Sequence, residues 1–102
     1  MGIDLYWEDE EGNVLSSVDD PKFILARFLA TAQLSNTTCL RFIDQYGDTI
    51  FNQLQTPVLI SELEKNLEFV PTLDVAEHIE KILLLARRSN GEIHTYLKFY
   101  GD

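Results

Sequence analysis

The chain has 102 residues, with 17 acidic against 8 basic side chains and a net charge of −9. That is the length of one domain, residues 1–102, able to bury a core without staples. The charge argues against tight nucleic-acid binding, and a single cysteine, Cys39, excludes an internal disulfide. The acids are unevenly placed. Asp4, Glu8, Asp9, Glu10, Glu11, Asp19 and Asp20 all fall in the first twenty residues, which hold no Lys or Arg. Such a field attracts cationic partners.

Ile3, Leu5 and Trp7 alternate with Asp4, Tyr6 and Glu8, the period of a half-buried strand. Asp9 to Asn13 is a turn with Gly12 able to take positive φ, and Val14 to Val18 is the return arm of a hairpin. Asp20-Pro21 is a cap followed by a first helical residue. Leu25, Phe28, Leu29 and Ala32 continue at helical spacing until Ser35-Asn36. Thr38 to Ile43 reads as a third strand, with Leu40 and Phe42 on one face and Cys39, Arg41 and Ile43 on the other. The turn signal Asp44 to Asp48 leads to a short arm, Thr49 to Asn52.

Thr56-Pro57 opens a second helix that turns Leu59, Ile60, Leu63 and Leu67 inward. A rival start at Ser61 has Glu64 to complete a capping box. Pro71 separates this helix from a third, capped by Asp74. Val75, Ile79, Ile82, Leu83 and Ala86 trace its inner face, and Leu84 and Leu85 widen it. Arg87 and Arg88 suit its C-terminal dipole, and Asn90-Gly91 stops it. Glu92 to Tyr100 is the last strand. Leu97-Lys98-Phe99-Tyr100-Gly101-Asp102 echoes Leu40-Arg41-Phe42 and Tyr46-Gly47-Asp48. The echo suggests two sheet strands in similar environments, since the match is too short for a repeat.

The order β-β-α-β-β-α-α-β predicts an α+β fold: a four- to five-stranded, mainly antiparallel sheet with three helices on one face. The other face would carry Asp4, Tyr6 and Glu8, then Cys39, Arg41 and Ile43, then His94, Tyr96, Lys98 and Tyr100. Tyrosine offers contact area with a polar tip and is enriched at interfaces. The same residues also stabilise a merely solvated sheet through cross-strand pairs.

Chemistry has little support. Cys39 lies in an apolar strand, and only His94 could share its face for a thiol–imidazole pair. Asp44 and Asp48 bracket a turn, where carboxylates normally cap backbone. Asp9 to Asn13 lacks the alternating ligands of a calcium loop, and two His with one Cys make no zinc signature. No metal or cofactor is expected. The acidic start differs from a signal peptide. Met1-Gly2 lacks the Ser or Thr at Tyr6 that myristoylation needs. The longest aliphatic run, Ile82 to Ala86, is far short of the roughly 20 residues of a membrane span. The expected setting is the cytoplasm, with no membrane partner.

The stretch Cys39 to Thr49, together with the ending Tyr96 to Asp102, resembles a group of short bacterial proteins of unknown function. That resemblance implies no activity. In size and charge the chain is also similar to bacterial immunity proteins, which neutralise basic toxins. The leading expectation is an interaction module without catalysis that binds a basic protein through the Tyr-bearing sheet face, the acidic N-terminal hairpin or both, with Asp4, Tyr6, Glu8, Arg41, Tyr96, Lys98 and Tyr100 as its contact residues. The alternative is a small enzyme or ligand carrier with a site on the open sheet face. A homodimer through the terminal strand, if that strand lies at a sheet edge, is a third.

Overall fold

The first hairpin forms where its alternation places it. Strand β1 (Asp4–Asp9) pairs with β2 (Val14–Val18). Gly12, at φ 86°, closes the turn by donating its N–H to the Asp9 carbonyl. The computed structural model describes residues 2–32, 34–70 and 72–101. Met1, Gln33, Pro71 and Asp102 lie outside the described residues. The helix break expected at Pro71 and the last residue of the echo fall there.

After the hairpin come α1 (Ile24–Thr31), β3 (Asp48–Phe51), α2 (Thr56–Asn66), α3 (Leu73–Ser89) and β4 (Thr95–Tyr100). The described strands make one four-stranded sheet, order β2-β1-β4-β3, with every neighbour antiparallel. The three helices lie against one face, as the α+β pattern requires. Ile3, Leu5, Phe51, Leu97 and Phe99 from the sheet meet Leu25, Phe28, Leu59, Leu63, Ile79, Ile82 and Leu83 from the helices, all almost fully buried. Helix α2 begins at Thr56-Pro57 and not at Ser61. Asn52 supports this start, its side-chain oxygen accepting from the N–H groups of Leu54 and Gln55.

Several expectations need correction. Residues 38–43 are not a strand, and Leu40–Phe42 is a 3-10 turn. The reason is Glu62 of α2. Its carboxylate accepts from the N–H groups of Thr38 (2.6 Å), Cys39 (2.9 Å) and Leu40 (3.0 Å). Those donors are then lost to any ladder. The two echo segments therefore differ in structure, although their tails meet: Gly101 N–H donates to the Gly47 carbonyl at 2.7 Å. A Cβ on Gly101 would sit 2.5 Å from the Asp44 and Gln45 backbone, so only glycine allows that approach.

Pro21 is not the first residue of α1. A turn intervenes, Phe23 takes φ 59°, and the helix starts at Ile24. Asp20 still caps it from upstream, its carboxylate accepting from Ile24 N–H (2.7 Å) and Leu25 N–H (3.2 Å). The third helix is capped at Thr72, with Asp74 inside the first turn holding the Val75 N–H. The last strand begins at Thr95, because Gly91 (φ 86°) and His94 (φ 61°) curl the chain before it. It is also an inner strand, between β1 and β3. The terminal strand is therefore not the sheet edge through which a homodimer was expected to form.

The Asp20 side chain is 1% exposed as a residue and also accepts from Ile3 N–H at 3.0 Å. Removing it strands three backbone donors. Asp20→Ala should lower the unfolding free energy by about 3–5 kcal/mol, read as a drop in the urea midpoint. Asp20→Asn should lose less.

Glu62 makes a pH prediction. Burial alone would raise its pKa, but the hydrogen bonds from Leu40, Thr38 and Cys39 outweigh that and hold it below the ordinary 4.5. Its contribution is therefore complete above pH 4.5 and is lost as pH falls below that value, where the unfolded chain takes up the proton first. Glu62→Gln should flatten this part of the acid-unfolding curve. Unchanged curves would reject the assignment.

Candidate functional site on the open sheet face

The face away from the helices is built by the register. Asp4 and Asp48 flank Tyr100, and Tyr6 stands beside Lys98, which stands beside Ile50. Glu8 lies between Val14 and Tyr96. Alternation therefore brings Asp4, Tyr6, Glu8, Tyr96, Lys98 and Tyr100 onto one surface, as expected. Arg41 is not among them. It sits on the 3-10 turn outside the sheet, exposed, with its guanidinium over the Phe42 ring at 5.5 Å. Cys39 and Ile43 are buried in the core. His94 stands at the margin, its Nδ1 3.1 Å from Glu10 Oε2.

At the centre, Glu8 is only 5% exposed although no helix covers it. Its neighbours on the sheet do. Tyr100 Oη donates to Oε2 at 2.6 Å, and Lys98 Nζ lies 3.0 Å from Oε1. The Tyr6 and Tyr100 rings meet edge to face, centroids 5.2 Å apart. Burial alone would raise the Glu8 pKa. The bonds from Tyr100 and Lys98 reverse that and hold it below 4.5. The same bond, with burial behind it, pushes the Tyr100 hydroxyl up to about 12. Both groups are locked in their ordinary charge states, which suits a rigid surface and not acid–base chemistry near neutral pH.

Two shallow hollows lie at the β3–β4 side. One, of ≈ 240 Å³, is lined by Asp9, Glu10, Ile50, Tyr96 and Lys98. The other, of ≈ 360 Å³, includes Leu54, Ile93, His94 and Tyr96. Ile50, Leu54 and Ile93 are 55%, 78% and 64% exposed. This apolar fringe around Tyr96 is not among the expected residues. The parity of Ile50 against buried Phe51 could have found it. Leu54 and Ile93 lie in turns and offered only their misplaced hydrophobicity.

The remaining candidates are held by other parts of the fold. Burial and the nearby Glu62 raise the Cys39 thiol above its usual range, and His94 stands apart from it at the sheet margin, beside Glu10. The Asp9 carboxylate is taken by Asn13 and by the Glu11 N–H, bonds that also hold it below the usual carboxylate range. Asp44 accepts from Tyr46 N–H within its turn. Among the described residues, no helix is long and apolar enough to cross a membrane.

No protein-family model matches this chain, and no curated protein or solved structure matches it. The functional reading rests on the geometry of this face.

The Glu8–Tyr100 bond has a direct test. A raised folded pKa stabilises fully below the unfolded value of 10 and is lost as pH rises from 10 through about 12. Glu8→Gln should shift one tyrosine ionisation, followed by absorbance or by NMR, back toward 10. Tyr100→Phe should delete it. A tyrosine titration unchanged by Glu8→Gln would break the assignment.

Proposed function

We propose that this chain is a protein-interaction module without catalysis, which binds a basic partner through the open sheet face in the manner of an immunity or accessory protein. The observation that carries this reading is the uncovered face itself. It is broad and open, with an apolar fringe of Ile50, Leu54 and Ile93 around Tyr96 and the acidic Glu10 on its border. A buried aromatic ringed by polar groups is the usual energetic centre of an interface. Its hollows are too shallow to enclose a substrate, which favours docking over the enzyme or ligand-carrier reading.

The exposed acids act at longer range. Glu10 lines the hollow and Glu11 follows it on the hairpin turn, where the two steer a cationic partner without being needed for the fold.

The two contributions separate kinetically. The partner is retained from native lysate on the wild-type protein, identified, and measured by surface plasmon resonance. Tyr96→Ala should speed dissociation by about 10-fold or more with little change in association. Glu10→Lys with Glu11→Lys should slow association by about 10-fold at low salt, and less at high salt. Full binding by both variants at low salt would reject this face as the docking surface.

A further inference from the structure

The opposite border of the sheet carries a second surface. Strand β2 is an edge. Among the described residues, no backbone hydrogen bond reaches it except those of its pairing with β1. A groove of ≈ 630 Å³ follows it, lined by four consecutive residues, Ser16 to Asp19, and on the far wall by a stripe of α3. Consecutive lining residues mean that the groove tracks the strand's backbone and not one side-chain face. The α3 stripe runs Glu77, His78, Lys81, Leu84, Leu85, Arg88. Leu84 is 62% exposed, whereas Leu85 beside it is buried. The expectation that both widen a covered face holds for Leu85 only.

We propose that this groove is filled by a second copy of the chain, β2 pairing antiparallel with β2 about a two-fold axis. Charge complementarity argues for that occupant. The stripe is acidic toward the N-terminus of α3 and basic toward its C-terminus. When the two sheets join edge to edge, both helix layers fall on the same side, and α3 lies antiparallel to its copy. Centred between Ile82 and Leu83, the match sets Glu77 against Arg88 of the second copy and Lys81 against Leu84 of the second copy. Among the described residues Glu77 makes no ion pair, and the Arg88 guanidinium lies over the Trp7 ring at 5.8 Å. Asp74, one turn earlier, is already paired with Arg27 at 3.2 Å.

The register slip opposite Trp7 and Glu8 leaves Leu15 as an extra residue in β2. Such a bulge blunts an edge, so the usable ladder is Ser16 to Val18 and the helix contact supplies most of the selectivity. The net charge of −9 on each copy opposes association.

Sedimentation velocity at physiological salt, over a wide concentration range, tests the proposal. The wild type should pass from 11.7 kDa toward twice that mass. Leu84→Asp alters an exposed side chain, so the monomer should stay folded by circular dichroism while dimerisation is lost. Glu77→Lys and Arg88→Glu should each weaken the dimer by about 10-fold or more, and the double variant should recover to within a few-fold of wild type. A wild type that stays monomeric overturns the proposal, whether or not the groove accepts an extended peptide from another protein. So does a double variant no better than the single ones.

Discussion

The Asp20 carboxylate is where three elements are joined. One oxygen holds the N–H of Ile3, just before β1, and that of Leu25. The other holds the N–H of Ile24 at the start of α1 and faces His78 Nε2 of α3 at 3.5 Å. Burial pulls the His78 pKa down while Asp20 opposes it. The Asp20 backbone N–H is taken in turn by Asp4 at 2.7 Å. A charge so deeply buried is tolerable only because backbone dipoles replace its water. Its effect is geometric. It pins the strand that carries Tyr6 and Glu8 to the helices behind, so the open face inherits its rigidity from a carboxylate on the far side of the sheet.

Glu62 plays a matching role at the other end. By taking the donors of Thr38, Cys39 and Leu40 it holds that segment as a tight turn against α2. The sheet therefore stops at β3, and Ile50 stays exposed at its border. Had the segment extended as a fifth strand beside β3, it would have flanked the fringe around Tyr96. The width of the candidate docking surface is thus set by a hydrogen-bond pattern within the helical layer.

What was legible in the sequence follows from range. The first hairpin, α2 and α3 announce themselves through periodicity and turn signals within a few residues, and the structure keeps these elements, though it caps α3 at Thr72 and not at Asp74. Residues 38–43 have a strand's pattern, but the deciding partner, Glu62, lies 22 to 24 residues away. The cover over Glu8 comes from Tyr100, 92 residues on. Alternation placed Glu8 on the outer face correctly, yet it could not tell that cross-strand neighbours would bury it there. Arg41 was misplaced for the same reason as its segment. The inner position of β4 was equally hidden, because chain order does not dictate strand order.

These contacts divide the acidity of the N-terminal end into two parts. Asp4, Glu8, Asp9 and Asp20 are spent on hydrogen bonds within the chain. Glu10, Glu11 and Asp19 remain exposed. Glu10 borders the hollow at Tyr96, and Asp19 borders the groove along β2. Net charge therefore overstates what a partner meets at contact, although it still sets the field felt at a distance. Charge reversal at Glu8 would disturb Tyr100 and Lys98 as well as the field, whereas reversal at Glu10 and Glu11 changes the field and spares the lattice beneath. The central charge of the sheet face is thus satisfied internally, its exposed acids lie at its margin and its apolar groups gather around one tyrosine, which is the distribution on which the proposed docking role rests.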